Sequence, residues 1–367
     1  MRLLSVFFLF LVPGMQTLLS GQEASTWLTK PGLTFSGYME VFYLYDFNAP
    51  PGPGRQPFLF NHNRHNAISL NLGLIKVRLD HSKYRSNIGL HAGTYVQDNY
   101  AAEPDVLRFV SEANLGISLN KSNTCWLDAG IFPSHIGFES VMAMDNATMT
   151  RSLLAENSPY FLAGAKITYT KEDSWVLMGW IGNGWQRIQR LEGSTLPSFG
   201  TQMTYTPSKS IALNWSTFAG TDDPDISRRW RFFNNFYSAI SMGESTSVTI
   251  GLDVGFQQRS RQSSQYDSWV SPVIIARYAF SDQWKTAMRM EYYEDKTGII
   301  IPVLDPAGFQ TLGWSWNLDY TPTPNVMWRS EIRWLRGQSD VFEAKNGLMP
   351  YSLFIGTSLS IRFEQAM

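Results

Sequence analysis

The chain has a single cysteine, Cys125, in 367 residues. That excludes an internal disulfide framework and any metal site built from several thiolates. Charge is scarce as well: Asp, Glu, Lys and Arg make up 17% of the residues, against about a quarter in an average soluble domain. They cancel to a net charge of −1, which leaves no electrostatic footprint for nucleic acid. No apolar run reaches the roughly 20 residues of a membrane-spanning helix, so a helical membrane protein is excluded. Motifs for chemistry are missing too. There is no Walker-type loop, no dinucleotide-binding glycine fingerprint, no Gly-x-Ser-x-Gly and no His-Glu zinc signature. The expectation is a protein that is not an enzyme and carries no cofactor or metal.

What replaces the charge is aromatic and small polar residues. Aromatics account for 14% of the chain and hydrophobic residues for 44%, yet the mean hydropathy is an ordinary −0.18. Aromatics at that density collapse rather than stay disordered. At the N-terminus, Met1-Arg2 precedes the apolar run Leu3–Val12, Pro13-Gly14 ends it, and Ser20, Gly21 and Ala24 supply small residues for cleavage. This is the pattern of a secretory signal. It is expected to span 1–22 and to leave a single domain over 23–367.

From Leu33 onward the pattern is alternation, the period of a strand and not of a helix. In Val248–Phe256 every even position is apolar and every odd one is polar or Gly. Leu312, Trp314, Trp316, Leu318 and Tyr320 alternate with Thr, Gly, Ser, Asn and Asp, and Tyr351–Phe363 behaves alike. Runs of this kind last about twice as long as the usual five- or six-residue strand, the length needed to cross a bilayer at a tilt. About sixteen candidates can be counted, from 33–47 to 351–363, the third over 86–98 and the fourth over 105–119; fourteen or eighteen also fit. A slip of alternation near Leu74-Ile75 predicts a bulge in the second.

Connectors alternate short (171–173, 243–245) with long (49–66, 133–159, 338–350), as in outer-membrane barrels. A sheet in hydrocarbon must leave no backbone group unpaired, so it must close. The expected fold is therefore all-β: a transmembrane antiparallel up-and-down β-barrel with both termini on the periplasmic side. Aromatics near strand ends, among them Tyr43, Tyr45, Tyr169, Tyr205, Trp284, Tyr292, Tyr320 and Phe363, match interface girdles. Polar positions face inward, placing Lys76, Arg78, Arg231, Arg277, Lys285 and Arg362 in the lumen with Glu40, Asp46, Glu112, Asp253, Glu291, Asp319 and Glu331. Such a balance predicts weak ion selectivity at most.

The final strand, Gly356–Phe363, resembles the C-terminal assembly signal of bacterial outer-membrane proteins, although Glu364-Gln365-Ala366-Met367 follow the aromatic that usually ends the chain. Leu127–Phe132, Gly137-Phe138-Glu139, Ser158–Phe161, Asn183–Gln186 and the early Gly37–Glu40 resemble the OmpL-like β-barrel porins (porin-2 type) of Gram-negative bacteria. The resemblance implies a bacterial outer-membrane channel exported through a signal peptide and inserted by the barrel assembly machinery. Membrane lipids lie outside it, small hydrophilic solutes or ions pass through it, and formation of a homotrimer is left open. In sixteen-stranded general porins the third external loop folds into the lumen, and the resemblance implies the same for 133–159. It carries Glu139, Asp145, Arg151 and Glu156, whose acids would then face bases on the wall, with Arg108, Lys166, Arg289, Arg329 and Arg333 as candidates, to form a charged constriction.

Other clusters are weaker. His62 and His65 sit in a polar loop, where two histidines are usually exposed. Thr221–Asp225 lacks the ordered spacing of a calcium loop. Cys125 has no basic sequence neighbour to activate it. Three functions remain: a passive diffusion pore, a receptor or adhesin barrel with a plugged lumen, and a secreted glycan-binding β-protein. Apolar rows on nearly every strand favour the first two, and the moderate loops favour the pore.

Overall fold

The structure is a computed structural model and describes residues 29–172 and 174–367. The expected signal segment 1–22 lies outside the described residues. One half of the molecule is built from β1 (Gly32–Asp46), β2 (Ser69–Asp80), β3 (Tyr84–Ala92), β4 (Val110–Ser118), β5 (Cys125–Pro133), β6 (Phe161–Lys171), β7 (Trp175–Gly182) and β8 (Ser198–Ser208). The other half is β9 (Ile211–Gly220), β10 (Arg231–Met242), β11 (Thr246–Gln258), β12 (Tyr266–Ala279), β13 (Trp284–Asp295), β14 (Phe309–Thr323), β15 (Val326–Gly337) and β18 (Tyr351–Ala366). These sixteen strands close into one antiparallel barrel, each bonded to its neighbours in sequence and β18 bonded back to β1. A small hairpin, β16 (Phe342–Ala344) with β17 (Gly347–Met349), stands apart from the barrel sheet.

Two-residue periodicity explains the wall. Ile250, Ile274, Leu312 and Ile355 point outward at 44–51% exposure, whereas Ser271, Ser315, Asn317 and Ser360 on the inner face are fully buried. An outer surface of that composition has hydrocarbon as its solvent, which removes the basis for a secreted soluble protein. Trp175 stacks on Tyr205 at 4.1 Å and Trp284 lies 4.6 Å from Tyr320; both are cross-strand pairs at the short-turn end. Inside, glycines make room for bulky partners. Gly255 pairs with Trp269, and a Cβ on Gly255 would lie 2.0 Å from the indole.

Four local expectations change. The third strand stops at Ala92, not 98, because Gly93 (φ 134) turns the chain inward and Thr94–Asn99 forms a short helix, α1. Any side chain at Gly93 would strike the Asn71 carbonyl. The adjacent Tyr95 and Val96 are both buried inside the barrel, whereas neighbouring residues of a strand point to opposite faces. The fourth strand begins at Val110, after a 3₁₀ turn at Leu107–Phe109. The bulge in β2 falls at Asn71, between the pairs Glu40↔Leu72 and Val41↔Leu70, and not at Leu74-Ile75. There the buried Asn71 amide donates to Glu40 at 2.9 Å and to Asn61 at 2.9 Å. Finally, the residues after Phe363 continue the ladder, with Glu364, Gln365 and Ala366 opposite Ser36, Phe35 and Thr34.

The long connectors lie at the end opposite the short turns. They are numbered here as loop 1 (47–68), loop 2 (93–109), loop 3 (134–160), loop 4 (183–197), loop 5 (221–230), loop 6 (259–265), loop 7 (296–308) and loop 8 (338–350). Several turn into the barrel and carry its apolar core. Phe58 and Leu59 of loop 1, Leu153 of loop 3, Trp185 of loop 4, Ile301 of loop 7 and Phe342 of loop 8 pack with wall residues such as Phe233, Trp269 and Phe309.

Candidate functional site

Loop 3 threads the interior of the barrel. It leaves β5 and meets β9 first, where His135 Nε2 bonds the Thr217 carbonyl at 3.0 Å and the Ser216 hydroxyl donates to the His135 carbonyl at 2.7 Å. Burial pushes the His135 imidazole down to about 4, although its bond to the carbonyl favours the charged form. Gly137 N donates to Asn235 on β10 at 3.1 Å, and Phe138 then occupies the space above Gly251. The loop crosses to the far wall and returns through Ser152, whose hydroxyl accepts from Ala155 N and caps a single helical turn, α2 (Leu153–Glu156).

On that far wall, three arginines hold the loop by its backbone. Arg329 on β15 donates to the carbonyls of Ala143, Asn146 (3.1 Å) and Thr148 (3.1 Å). Arg289 on β13 reaches the Thr150 carbonyl at 2.6 Å and the Thr148 hydroxyl at 2.9 Å. Arg333 reaches the Arg151 carbonyl at 3.1 Å. Each is countered by a carboxylate of the wall. Asp319 takes Arg329 at 2.7 and 2.9 Å, Glu331 takes Arg289 at 2.9 Å, and Glu291 takes Arg333 at 2.6 Å. Glu331 and Glu291 also accept from loop amides, Thr150 N at 2.6 Å and Leu153 N at 2.7 Å. All six charged side chains are at most 1–2% exposed. Burial on that scale is tolerated only because nearly every donor and acceptor finds a partner.

The nine residues expected at a constriction therefore separate. Arg289, Arg329 and Arg333 meet loop 3, but through its carbonyls and hydroxyls and not its acids. Arg151 and Glu156 pair with each other at 3.3 Å, both buried, with Arg151 over the Tyr160 ring at 4.6 Å. Glu156 also accepts Phe60 N at 2.7 Å and Asn61 N at 3.2 Å, which ties loop 1 to loop 3. Glu139 accepts from Ser152 N at 3.1 Å inside the loop itself, and burial pushes its carboxyl above the usual range. Asp145 pairs with Arg362 of β18 at 2.8 Å, nearer the short-turn mouth. Lys166 lies over the Phe132 ring at 4.4 Å and makes no contact with the loop acids. Arg108 is not a wall residue: it sits in the 3₁₀ turn of loop 2 and donates to the Glu103 carbonyl at 2.7 Å.

Sequence reasoning missed the second tie of loop 1. His62 is 1% exposed, not solvated, and its Nε2 lies 3.1 Å from the Glu40 carboxylate. Arg55 likewise pairs with Asp46 at 3.2 Å and covers the Phe354 ring. A signal for the arginine network was present: alternation puts Arg329, Glu331 and Arg333 on one face of β15, and Arg289 and Glu291 on one face of β13.

The profile of the family described as "Putative beta-barrel porin-2, OmpL-like" matches residues 32–363. No curated protein matches the chain in sequence. Among solved structures, the anion-selective porin from Comamonas acidovorans superposes with a TM-score of 0.61 at 8% identity, covering 91% of this chain and 100% of that one. OmpT of Vibrio cholerae, in its trimer form, gives 0.60 at 8% identity, over 91% and 100% of the two chains. The outer-membrane channel DcaP of Acinetobacter baumannii gives 0.59 at 8%, over 91% and 98%. At such identities the likeness is one of fold.

Proposed function

The chain belongs to the porin-2, OmpL-like family of outer-membrane β-barrels, and from that premise we propose a passive pore for small hydrophilic solutes or ions whose bore is set by loop 3. The observation that carries this is the fastening of the loop: backbone carbonyls from Ala143 to Arg151 held by Arg289, Arg329 and Arg333. A polypeptide anchored to the wall at several points along the lumen narrows it by a fixed amount and does not flap. The protein performs no catalysis. Its signal peptide covers 1–22 and the barrel domain 23–367; it is exported in a Gram-negative cell and inserted by the barrel assembly machinery.

Reconstitution into a planar bilayer tests the pore. Discrete conductance steps are expected, and a Gly-Ser linker in place of residues 138–155 is expected to raise each step several-fold. Unchanged steps would remove loop 3 from the bore. A plugged receptor barrel is the second possibility, and the apolar packing of loops 1, 3, 4, 7 and 8 within the barrel favours it. A correctly folded barrel that stays silent in the bilayer would select it.

A further inference from the structure

Most lumen-facing bases near the short-turn mouth are neutralised. Lys76 pairs with Glu112 at 2.6 Å, Arg85 with Asp128 at 2.6 Å and Arg362 with Asp145 at 2.8 Å. Arg277 on β12 and Lys285 on β13 are different. Lys285 has neither a hydrogen bond nor an ion pair among the described residues. Its cross-strand neighbour Asp319 is already taken, at 2.7 and 2.9 Å by Arg329 and at 2.5 Å by Asn317. Arg277 reaches the same carboxylate only at 3.6 Å, and its Nε is buried with no hydrogen-bond partner.

The two cations share one place. Arg277 pairs in register with Ala287 and Ala279 with Lys285, so Arg277 and Lys285 are diagonal neighbours on the inner face, within reach of one ligand. Between them and the β10–β11 turn lies a cavity of about 210 Å³, lined also by Ser241, Ser245, Thr246 and Ser247, with Glu244 as its single acid. Ser247 stands directly across from Arg277. One unpaired ammonium, one guanidinium that meets its carboxylate only at 3.6 Å and several hydroxyl donors, with little apolar lining, suit a compact, acceptor-rich anion and offer little to a carbon skeleton.

We propose that Arg277, Lys285 and the hydroxyls of Ser241, Ser245 and Ser247 form an anion subsite at the short-turn mouth of the lumen, which takes one small oxyanion such as inorganic phosphate or sulfate. The proposal rests on the pore only for the part this subsite plays in passage; binding itself needs no conduction. In the pore, such a subsite raises the local anion concentration and favours oxyanions over cations of the same size.

The test is calorimetric titration of the whole barrel with potassium phosphate, in a phosphate-free maltoside detergent. Saturable binding at one site is expected. It should weaken about ten-fold or more in Lys285→Gln and Arg277→Gln, as for loss of a charge-assisted hydrogen bond, persist in Lys285→Arg, and tighten in Glu244→Gln. Arg78→Gln, which removes a base paired with Asp80 at 2.6 Å, should leave it unchanged. Heat-shifted gel mobility establishes that each variant is folded. No saturable binding to the wild type, or equal binding by the glutamine variants, overturns the subsite. In phosphatidylglycerol vesicles the phosphate affinity should be retained; its loss there would make a lipid headgroup the occupant and overturn the assignment to a free solute. If the bilayer is silent to potassium chloride while phosphate still binds, the pore fails and the subsite stands.

Discussion

At the scale of residues, the consequential feature is that charge in the lumen is spent on holding backbone. Arg329→Ala would leave the buried Asp319 with only Asn317 and the more distant Arg277, and strip three loop carbonyls of their donor. Removing one member of a buried pair costs about 3–5 kcal/mol, so the urea midpoint of the folded barrel should fall sharply, and Arg329→Lys should recover little because an ammonium cannot reproduce the forked geometry. His135 supplies a pH dependence of known sign. Its folded value near 4 lies below the usual 6.5, so the unfolded chain binds the proton more readily. Nothing is lost above pH 6.5. As pH falls from 6.5 towards 4, stability should decline by about 3 kcal/mol, and His135→Gln should flatten that part of the profile. The sequence identified the three wall arginines as lumen-facing, because alternation assigns faces. It could not assign their partners, because a face carries no information about which loop folds over it; hence Glu139 and Asp145 were expected opposite bases that instead hold carbonyls.

At the scale of elements, strands were legible and loops were not. A strand writes its period into every second residue, as Val248–Phe256 shows, whereas loop 3 has no period and takes its course from contacts with β9, β10, β13 and β15. The third strand illustrates the boundary between the two. Alternation runs on past Ala92, but Gly93 is held at a φ of 134 against the Asn71 carbonyl, and that constraint comes from a neighbouring strand remote in sequence. Gly130 is a comparable point inside the sheet. Its φ is 132, and a Cβ there would lie 2.1 Å from the Ala113 carbonyl oxygen. Gly130→Ala should therefore force β4 and β5 apart, with the yield of heat-shifted, folded barrel falling well below that of Gly179→Ala, whose added Cβ meets only a side-chain methyl at 3.8 Å.

At the scale of the whole molecule, low charge and ordinary mean hydropathy are two faces averaged together, one turned to lipid and one to a packed or wet interior. Ile274→Arg, on the outer face of β12, should cost about 2–4 kcal/mol in a bilayer, while Thr249→Arg, facing the lumen, should cost far less; unfolding in lipid vesicles compares the two. The closed antiparallel topology and the meeting of both ends at the short-turn mouth were readable, because closure in hydrocarbon leaves few alternatives, and sixteen strands was the central count between fourteen and eighteen. The closure has a further consequence in time. Fifteen of the sixteen seams join strands that are consecutive within the barrel sheet, but β1 and β18 meet across contacts such as Tyr38 with Ser360, 322 residues apart. Neither strand can finish its hydrogen bonding until the last residues have left the ribosome and the membrane has been reached. Through that whole interval the nascent chain carries two unsatisfied sheet edges, each a template for pairing with a neighbouring copy. Escort of the unfolded polypeptide is thus a demand made by the geometry of a single seam.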